Sequence, residues 1–166
     1  ASLTGNAVVT PFGSDTVSVT GTGVGSFADK HAGSGKPVNV TGFTLTGADA
    51  GNYLPLQPNP VASITPANLT LTTQAASRVY DGTTVAPGAA IVSNGTLFAG
   101  DTLTGGNFAY LDKHAGTGKT VTVGGVTVND GNGGGNYAVS YVDNTSSSIV
   151  PAALTVSAAA VTKTYD

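Results

Sequence analysis

Asp29-Lys30-His31-Ala32-Gly33-Ser34-Gly35-Lys36 recurs almost unchanged as Asp112-Lys113-His114-Ala115-Gly116-Thr117-Gly118-Lys119, at a spacing of 83 residues. Further along the chain, Ile64-Thr65-Pro66 is matched by Ile149-Val150-Pro151. A repeat of this length is one folded unit, and its presence determines the architecture of a chain before any single residue indicates its chemistry. The sequence therefore predicts a tandem array rather than one large domain.

The ends of the chain are out of phase with this repeat. Residues 1–66 form an incomplete repeat that lacks its opening strand, and residues 67–151 form a complete repeat. Residues 152–166 form the opening strand of a third repeat. The third is recognised because Ala152-Ala153-Leu154-Thr155-Val156 matches Ala67-Asn68-Leu69-Thr70-Leu71. A sheet that lacks one strand has an open edge, which a strand from elsewhere can fill. We expect Leu154 to Val161 either to be disordered or to pair with the first domain of a neighbouring molecule, in a strand exchange between copies.

Composition and periodicity both predict an all-β fold. The nine acidic residues are all Asp, and the chain contains 24 Gly and eight Pro, which are residues of turns. Leu69–Thr73 and Tyr137–Val142 alternate apolar and polar residues, as half-buried strands do. Gly105-Gly106 predicts a bulge or a gap between the strands that flank it. About six to eight short strands per repeat, with no helix required, indicate small β-sandwich domains, Ig-like or β-grasp-like, in an elongated array.

Charge and residue content exclude several classes of partner. With a net charge of −3 and no cluster of Lys or Arg, the chain lacks the basic face that a nucleic-acid partner requires. No apolar run approaches the length of a membrane span, so membrane insertion is not expected. The absence of Cys excludes disulfides, thiolate nucleophiles and Cys-type zinc sites. Because small extracellular domains of eukaryotes commonly carry disulfides, a Cys-free all-β array favours an exported bacterial protein.

Two motifs are interpreted as structural turns. In the repeated octapeptide, Asp29 and Asp112 are expected to accept backbone N–H bonds, and the glycines to supply backbone freedom. His31 and His114 occur once per repeat with no second His or Cys beside them, which favours a turn over a metal ligand or an acid–base group. The second motif contains the turn dipeptide Asp-Gly. The predicted turn residues are Asp29, His31, Gly33, Gly35, Tyr80, Asp81, Gly82, Asp112, His114, Gly116 and Gly118.

The loop of residues 129–135 leaves a calcium site open as the alternative to a flexible turn. Oxygen ligands spaced along a loop suit a hard cation, and Asp130 and Asn132 are the candidate ligands. The loop has a single carboxylate and no Glu to close a site, so the turn is preferred. No other metal and no cofactor is expected.

Four motifs follow one another in a fixed order within the repeat. They are Tyr80-Asp81-Gly82-Thr83-Thr84, the Asp-Lys-x-Ala-Gly-x-Gly-Lys block, Gly47-Ala48-Asp49-Ala50-Gly51-Asn52-Tyr53 and Ile64-Thr65-Pro66. Together they resemble the YDG repeat, which is similar to the MBG modules of bacterial exoproteins and filamentous-haemagglutinin-like surface adhesins. The second repeat departs from this pattern at residues 130–136, a difference of loop rather than of fold. The resemblance implies a secreted or surface-anchored protein in which many modules hold an adhesive or matrix-binding part away from the cell.

The leading hypothesis is a structural spacer, the stalk repeat of a secreted or cell-surface bacterial adhesin. Its partners are neighbouring repeats of the same chain. The alternative is a module that itself binds a polysaccharide or host-surface ligand through a sugar-stacking face. The candidate residues are Tyr53, Tyr80, Tyr137, Tyr141 and Tyr165. The recurrence of Tyr53 and Tyr80 by position in the repeats favours packing instead. Neither a nucleophile nor a convergent titratable pair is in view, so no enzymatic activity is expected.

Overall fold

The computed structural model describes residues 7–165 and divides into two compact units, unit 1 up to Pro66 and unit 2 from Ala67 onwards. Apart from one 3-10 turn at Ala50–Asn52, every regular element in the described residues is a β-strand. The all-β prediction is therefore confirmed. It follows from the sequence, since β-branched residues alternate with polar ones and Gly and Pro separate the runs.

From residue 7 onwards, unit 1 contains five strands in two small antiparallel sheets. They are β1 (Ser18–Thr20), β2 (Val24–Phe27), β3 (Gly33–Thr41), β4 (Thr44–Thr46) and β5 (Val61–Ile64). β1 pairs with β4, and β3 lies between β2 and β5 in the second sheet. Val38 and Val40 point to the same face of β3 and are only 2% and 1% exposed. The core of unit 1 is therefore centred on β3.

Unit 2 contains seven strands in two mixed sheets. They are β6 (Ala67–Thr73), β7 (Ser77–Val79), β8 (Ala90–Gly95), β9 (Thr102–Tyr110), β10 (Gly116–Asn129), β11 (Tyr137–Tyr141) and β12 (Asn144–Val150). The strand orders are β7-β12-β10-β9 and β11-β6-β8. β7 runs parallel to β12, and β6 runs parallel to β11, whereas all other pairs are antiparallel. The opening strand β6 is thus the centre of the smaller sheet.

Two clusters of buried residues hold unit 2 together. The first lies on the four-stranded sheet and contains Ala76, Ala86, Tyr110, Val121 and Ile149. The second contains Leu69 and Leu71 of β6, Val128 of β10 and Tyr137 of β11. Because the second cluster draws residues from both sheets, the two sheets pack against each other through it. Leu69 and Leu71 have no exposed surface, so β6 supplies the centre of this contact.

The predicted bulge or gap at Gly105-Gly106 is wrong, because β9 is continuous through these residues. Asn107 lies opposite Gly124 and Gly105 lies opposite Val126, so the pairing register is the same on both sides of the glycines. Gly105, Gly106 and Gly125 all have positive φ. The two strands therefore bend together at this level, and neither gains a residue over the other.

The segment that follows β12 forms no strand in residues 151–165. Leu154 and Val156, the equivalents of Leu69 and Leu71, are each 89% exposed. Val161 is 91% exposed. Over its described length this segment therefore has no regular secondary structure, and its apolar side chains face solvent.

Candidate functional site

The turn between β2 and β3 is organised by one carboxylate. The Asp29 Oδ1 atom accepts the N–H of His31 at 2.8 Å and also a hydrogen bond from the Lys36 ammonium. Lys36 also donates to the carbonyl oxygen of His31 at 2.8 Å. The Lys36 side chain, near the start of β3, thereby reaches back over the turn and binds the Asp29 side chain and the His31 main chain.

The turn between β9 and β10 repeats this construction in unit 2. The Asp112 Oδ1 atom accepts the N–H of His114 at 2.9 Å and a hydrogen bond from the Lys119 ammonium. Lys119 is 14% exposed and Asp112 is 49% exposed. His114 takes part through its main chain, while its side chain lies on the surface. The same two contacts are thus built twice from the same motif.

These ion pairs lower the pKa of both carboxyl groups. The hydrogen bond from the lysine is the largest cause for Asp29 and for Asp112, and the histidine N–H is the second. Both carboxylates are about half exposed, so solvent screens the charges. The pairs therefore define the shape of the turns more than they stabilise the whole fold.

Only half of the glycines in the two turns supply unusual backbone freedom. Gly35 and Gly118 have φ of 62° and 63°. Gly35 lies where the pairing register of β3 with β5 shifts, and Gly118 lies where that of β10 with β12 shifts. Gly33 and Gly116 do not have positive φ, which corrects the prediction that all four supply such freedom. A Cβ at either position would make an ordinary contact with the following lysine side chain.

The Tyr80-Asp81-Gly82 turn is organised by a second carboxylate. The Asp81 Oδ1 atom accepts the N–H of Thr83 at 2.8 Å and its hydroxyl at 2.9 Å. Gly82 has a φ of 81°, which a side chain rarely adopts. The hydrogen bonds from Thr83 are the main cause of a lowered pKa at Asp81. Tyr80 itself joins the sheet through its N–H, which donates to the carbonyl oxygen of Val150 at 2.8 Å.

Arg78 completes this turn and was not among the predicted residues. Its guanidinium donates to Asp81 Oδ2 at 2.7 Å, to the Thr83 hydroxyl at 2.8 Å and to the Thr83 carbonyl. It also lies 5.3 Å from the centroid of the Tyr110 ring, in cation–π geometry. The sequence contained a signal for this basic residue. Lys163 stands two residues before Tyr165, as Arg78 stands two residues before Tyr80.

Asp130 organises the loop between β10 and β11. Its Oδ1 atom accepts the N–H groups of Asn132 at 2.7 Å and Gly134 at 2.8 Å, and its Oδ2 atom accepts that of Asn136 at 2.8 Å. The residue is only 2% exposed. Burial by itself raises the pKa of Asp130, but the hydrogen bonds from Asn136, Gly134 and Asn132 together outweigh it and leave the pKa lowered.

This geometry corrects the calcium hypothesis for Asp130 and Asn132. Both carboxylate oxygens of Asp130 face N–H donors of their own loop, which leaves them poorly placed to face a cation. The Asn132 side chain donates to the Asn136 side-chain oxygen at 3.0 Å. Within residues 7–165 no three His, Cys, Asp or Glu side chains gather to hold a metal ion. The donor set of this loop therefore does not fit calcium, and the loop is a carboxylate-centred turn rather than a flexible one.

A tyrosine holds a second turn in each unit, and sequence reasoning missed it. In unit 2, the Tyr137 hydroxyl donates to Asp101 Oδ2 at 2.6 Å and accepts the N–H of Phe98 at 2.9 Å. The Phe98 and Tyr137 rings are 6.1 Å apart. Asp101 closes the turn by donating its own N–H to the Phe98 carbonyl at 3.1 Å. We call this arrangement the tyrosine latch.

Unit 1 contains the same latch. The Tyr53 hydroxyl donates to Asp15 Oδ2 at 2.7 Å and accepts the N–H of Phe12 at 2.9 Å, with ring centroids 6.3 Å apart. The hydrogen bond to aspartate is the largest cause of a raised pKa at Tyr53, whereas at Tyr137 burial comes first and the aspartate second. The signal in the sequence was the recurrence of Phe-x-x-Asp-Thr before each octapeptide.

The predicted site residues do not converge on one centre. The structure places them in separate turns, and in each turn the carboxylate binds groups from its own loop or from the adjoining strand. No helix in the described residues is long and apolar enough to cross a membrane.

Comparison with known proteins gives one match. Neither the curated proteins nor the solved structures include one that matches the chain. A family model described as the YDG domain matches residues 1–60 and 65–146. These two ranges cover most of the sequence, and each contains one octapeptide turn and one tyrosine latch. The chain belongs to the YDG domain family.

Proposed function

We propose that this chain is a structural spacer, a stalk repeat in a secreted or cell-surface bacterial adhesin. The observation that carries the proposal is the repetition of structural contacts. The octapeptide ion pair and the tyrosine latch are built in both units, so the polar groups that recur are those that bind the protein's own loops. Such a module contributes length, and it extends an adhesive or biofilm-matrix-binding region from the cell.

Small β-sandwich domains in an elongated array are the architecture that suits this role. The connection between the units is short, because β5 ends at Ile64 and β6 begins at Ala67. Pro66 lies in this connection, where its ring fixes φ and restricts the residue before it. Few charges and many hydroxyl side chains suit a surface that stays in solution outside the cell without attracting polyanions. The role requires no catalysis and no cofactor.

Small-angle X-ray scattering tests the proposal. A single globule of this length has a radius of gyration of about 15 Å. We expect a clearly larger value and an elongated distance distribution for the wild type at concentrations where it is a monomer. The Pro66→Gly variant should broaden that distribution, because glycine frees the connection. A radius of gyration near about 15 Å, unaffected by the substitution, would contradict the spacer.

Binding of a polysaccharide or host-surface ligand by the module itself is the second proposal. It rests on Tyr80 and Tyr141, which are 38% and 39% exposed and offer ring surface to a sugar. A glycan array with the wild type and with a Tyr80→Ala variant tests it. Saturable binding that the variant loses supports recognition, and the absence of binding leaves the spacer alone.

A further inference from the structure

Unit 1 has an apolar groove of about 540 Å³. Among the residues that line it are Pro11, Val17, Phe43, Leu45, Tyr53 and Pro55. The repeat relates these residues to Leu97, Leu103, Val126, Val128, Tyr137 and Val139 of unit 2. All six of the latter belong to the cluster that surrounds Leu69 and Leu71 of β6. The groove therefore has the lining that in unit 2 covers the opening strand.

The degree of burial differs between the two units in the way this relation predicts. In unit 2, Val128 and Tyr137 are 5% and 6% exposed. Their equivalents in unit 1, Leu45 and Tyr53, are only partly buried. In the described part of unit 1, no strand lies over them as β6 lies over Val128 and Tyr137. Contact with two leucine-sized side chains would bury this lining further.

The edge of the groove can accept a strand. The Val142 N–H donates to the Leu71 carbonyl, and the Ala67 N–H donates to the Asn136 carbonyl, so even-numbered residues of β11 bond β6. Ala138 and Ser140 correspond to Leu54 and Leu56 at the groove, which have N–H groups to donate. Val142 corresponds to Pro58, which has none, so the donors for an added strand end at Leu56. Pro55 corresponds to an odd-numbered residue, whose amide faces away from the added strand.

The chain carries a segment that matches the groove. Residues 152–158 read Ala-Ala-Leu-Thr-Val-Ser-Ala and align with the Ala-Asn-Leu-Thr-Leu-Thr-Thr of β6. The segment has no charged residue, and its apolar residues alternate with polar ones at Leu154 and Val156. Both side chains are 89% exposed. Burying two such side chains is favourable because it removes apolar surface from water, and seven residues suffice for a strand.

We propose that the groove of unit 1 binds residues 152–158 of a second copy of this chain as an added β-strand. Leu154 and Val156 enter the groove, and the strand runs parallel to Leu54 and Leu56 as β6 runs parallel to β11. The contact is heterologous, since the tail of one copy meets the groove of another. Association therefore continues from copy to copy and builds open chains or closed rings. Groove and tail associate in this way whether or not the protein serves as a spacer.

Disulfide trapping tests the register of the added strand. In unit 2 the Thr70 and Ser140 hydroxyl oxygens are 3.0 Å apart, and their equivalents are Thr155 and Leu56. The chain has no Cys, so each introduced thiol is the only one in its molecule. A Thr155→Cys copy mixed with a Leu56→Cys copy should form a mixed disulfide on mild oxidation. Leu54→Cys is the matched control, because two residues along a strand shift the thiol by about 6.8 Å, beyond disulfide reach.

Sedimentation velocity of the full chain tests the association itself. The wild type should show a mass that rises with concentration. Leu154→Asp should weaken association by at least about 100-fold, because it places an unpaired charge in the groove. Ala153→Asp is the control, since the equivalent Asn68 is exposed and the charge stays in solvent. A monomer at all concentrations, equal effects of the two substitutions, or equal disulfide yields at positions 54 and 56 would overturn the proposal.

Discussion

Asp130 shows why this chain uses aspartate and no glutamate. Its short side chain places both oxygens within reach of N–H groups two, four and six residues further on. A longer glutamate side chain would not fit these close local contacts. The same reasoning applies to Asp29, Asp81 and Asp112, whose carboxylates accept the N–H group two residues further on.

Local roles of this kind could be predicted from sequence, whereas long-range roles could not. Asp29 and Asp112 bind groups within seven residues, so their motif contains its own partners. Asp101 binds Tyr137 across 36 residues, and only the fold brings the two together. Recurrence in both repeats marked both kinds of residue, but it does not say which partner each one meets.

Replacement of Asp130 should destabilise unit 2. Asp130→Ala removes the acceptor of three partly buried main-chain N–H groups, which leaves them without that partner. We expect the melting temperature to fall by about 5–10 °C. The melting temperature is measured by far-ultraviolet circular dichroism during heating, because the signal at about 218 nm reports strand content.

Asp143→Ala is the matched control for this substitution. Asp143 is an exposed carboxylate in the same unit, so its removal makes the same change in net charge. Its melting temperature should stay within about 1 °C of the wild type. Equal shifts for the two variants would show that the hydrogen bonds of Asp130 are not the cause.

The tyrosine latch connects elements that are distant in the sequence. Tyr137 opens β11, while Phe98 and Asp101 form the turn before β9. One hydroxyl therefore joins the two sheets of unit 2 at their loop end. A sequence pattern fixes which residues face inwards, but it does not give the order of strands. The parallel pair β6–β11 illustrates this, because both strands alternate in the same way as their antiparallel neighbours.

The Tyr137→Phe substitution distinguishes the contribution of the latch hydroxyl to stability from the contribution of the ring. The phenyl ring keeps its packing against Phe98, but the Phe98 N–H and the Asp101 carboxylate lose their shared partner. We expect the melting temperature to fall by about 5 °C, measured by differential scanning calorimetry.

Tyr80→Phe provides the comparison, because the contact that Tyr80 makes to the sheet is through its main-chain N–H. This variant should melt with the wild type. The idea of a latch fails if Tyr137→Phe melts at the same temperature as Tyr80→Phe, or if hydrogen exchange at the Phe98 amide is unchanged.

The charges of the chain predict how its stability depends on pH. Asp29, Asp81, Asp112 and Asp130 have lowered pKa values in the folded state. Their contribution is therefore present above about 3.9, the ordinary pKa of Asp, and is lost as the pH falls below it. Tyr53 and Tyr137 have raised pKa values. Their contribution is present below about 10, the ordinary pKa of Tyr, and is lost as the pH rises beyond it.

A melting curve at each pH from about 2 to 12 measures this dependence. We expect a plateau between about pH 5 and pH 9, with a fall on either side of it. The Asp130→Ala variant should show a weaker acid fall than the wild type. A melting temperature that increases as the pH is lowered from the plateau to about pH 3 would contradict the assignment.

The organisation of the molecule was more accessible from sequence than its function. The match of Ile64-Thr65-Pro66 to Ile149-Val150-Pro151 predicts a boundary after residue 66, and the structure divides after Pro66. The fold class follows from alternation and turn residues. A ligand leaves no such periodic signal, since recognition of a sugar depends on a few exposed groups whose arrangement only the fold and its partner determine.

The positions of the basic residues determine where a protease such as trypsin can cleave this protein. Of six basic residues, Lys30, Lys36, Lys113 and Lys119 lie in the octapeptide motifs, and the bond after Lys36 resists cleavage because Pro37 follows it. A cut after Lys113 severs the connection between β9 and β10. The ladder from Thr102 opposite Asn129 to Tyr110 opposite Val121 does not depend on that bond. A molecule cleaved at this loop can thus keep β9 and β10 paired and retain its fold.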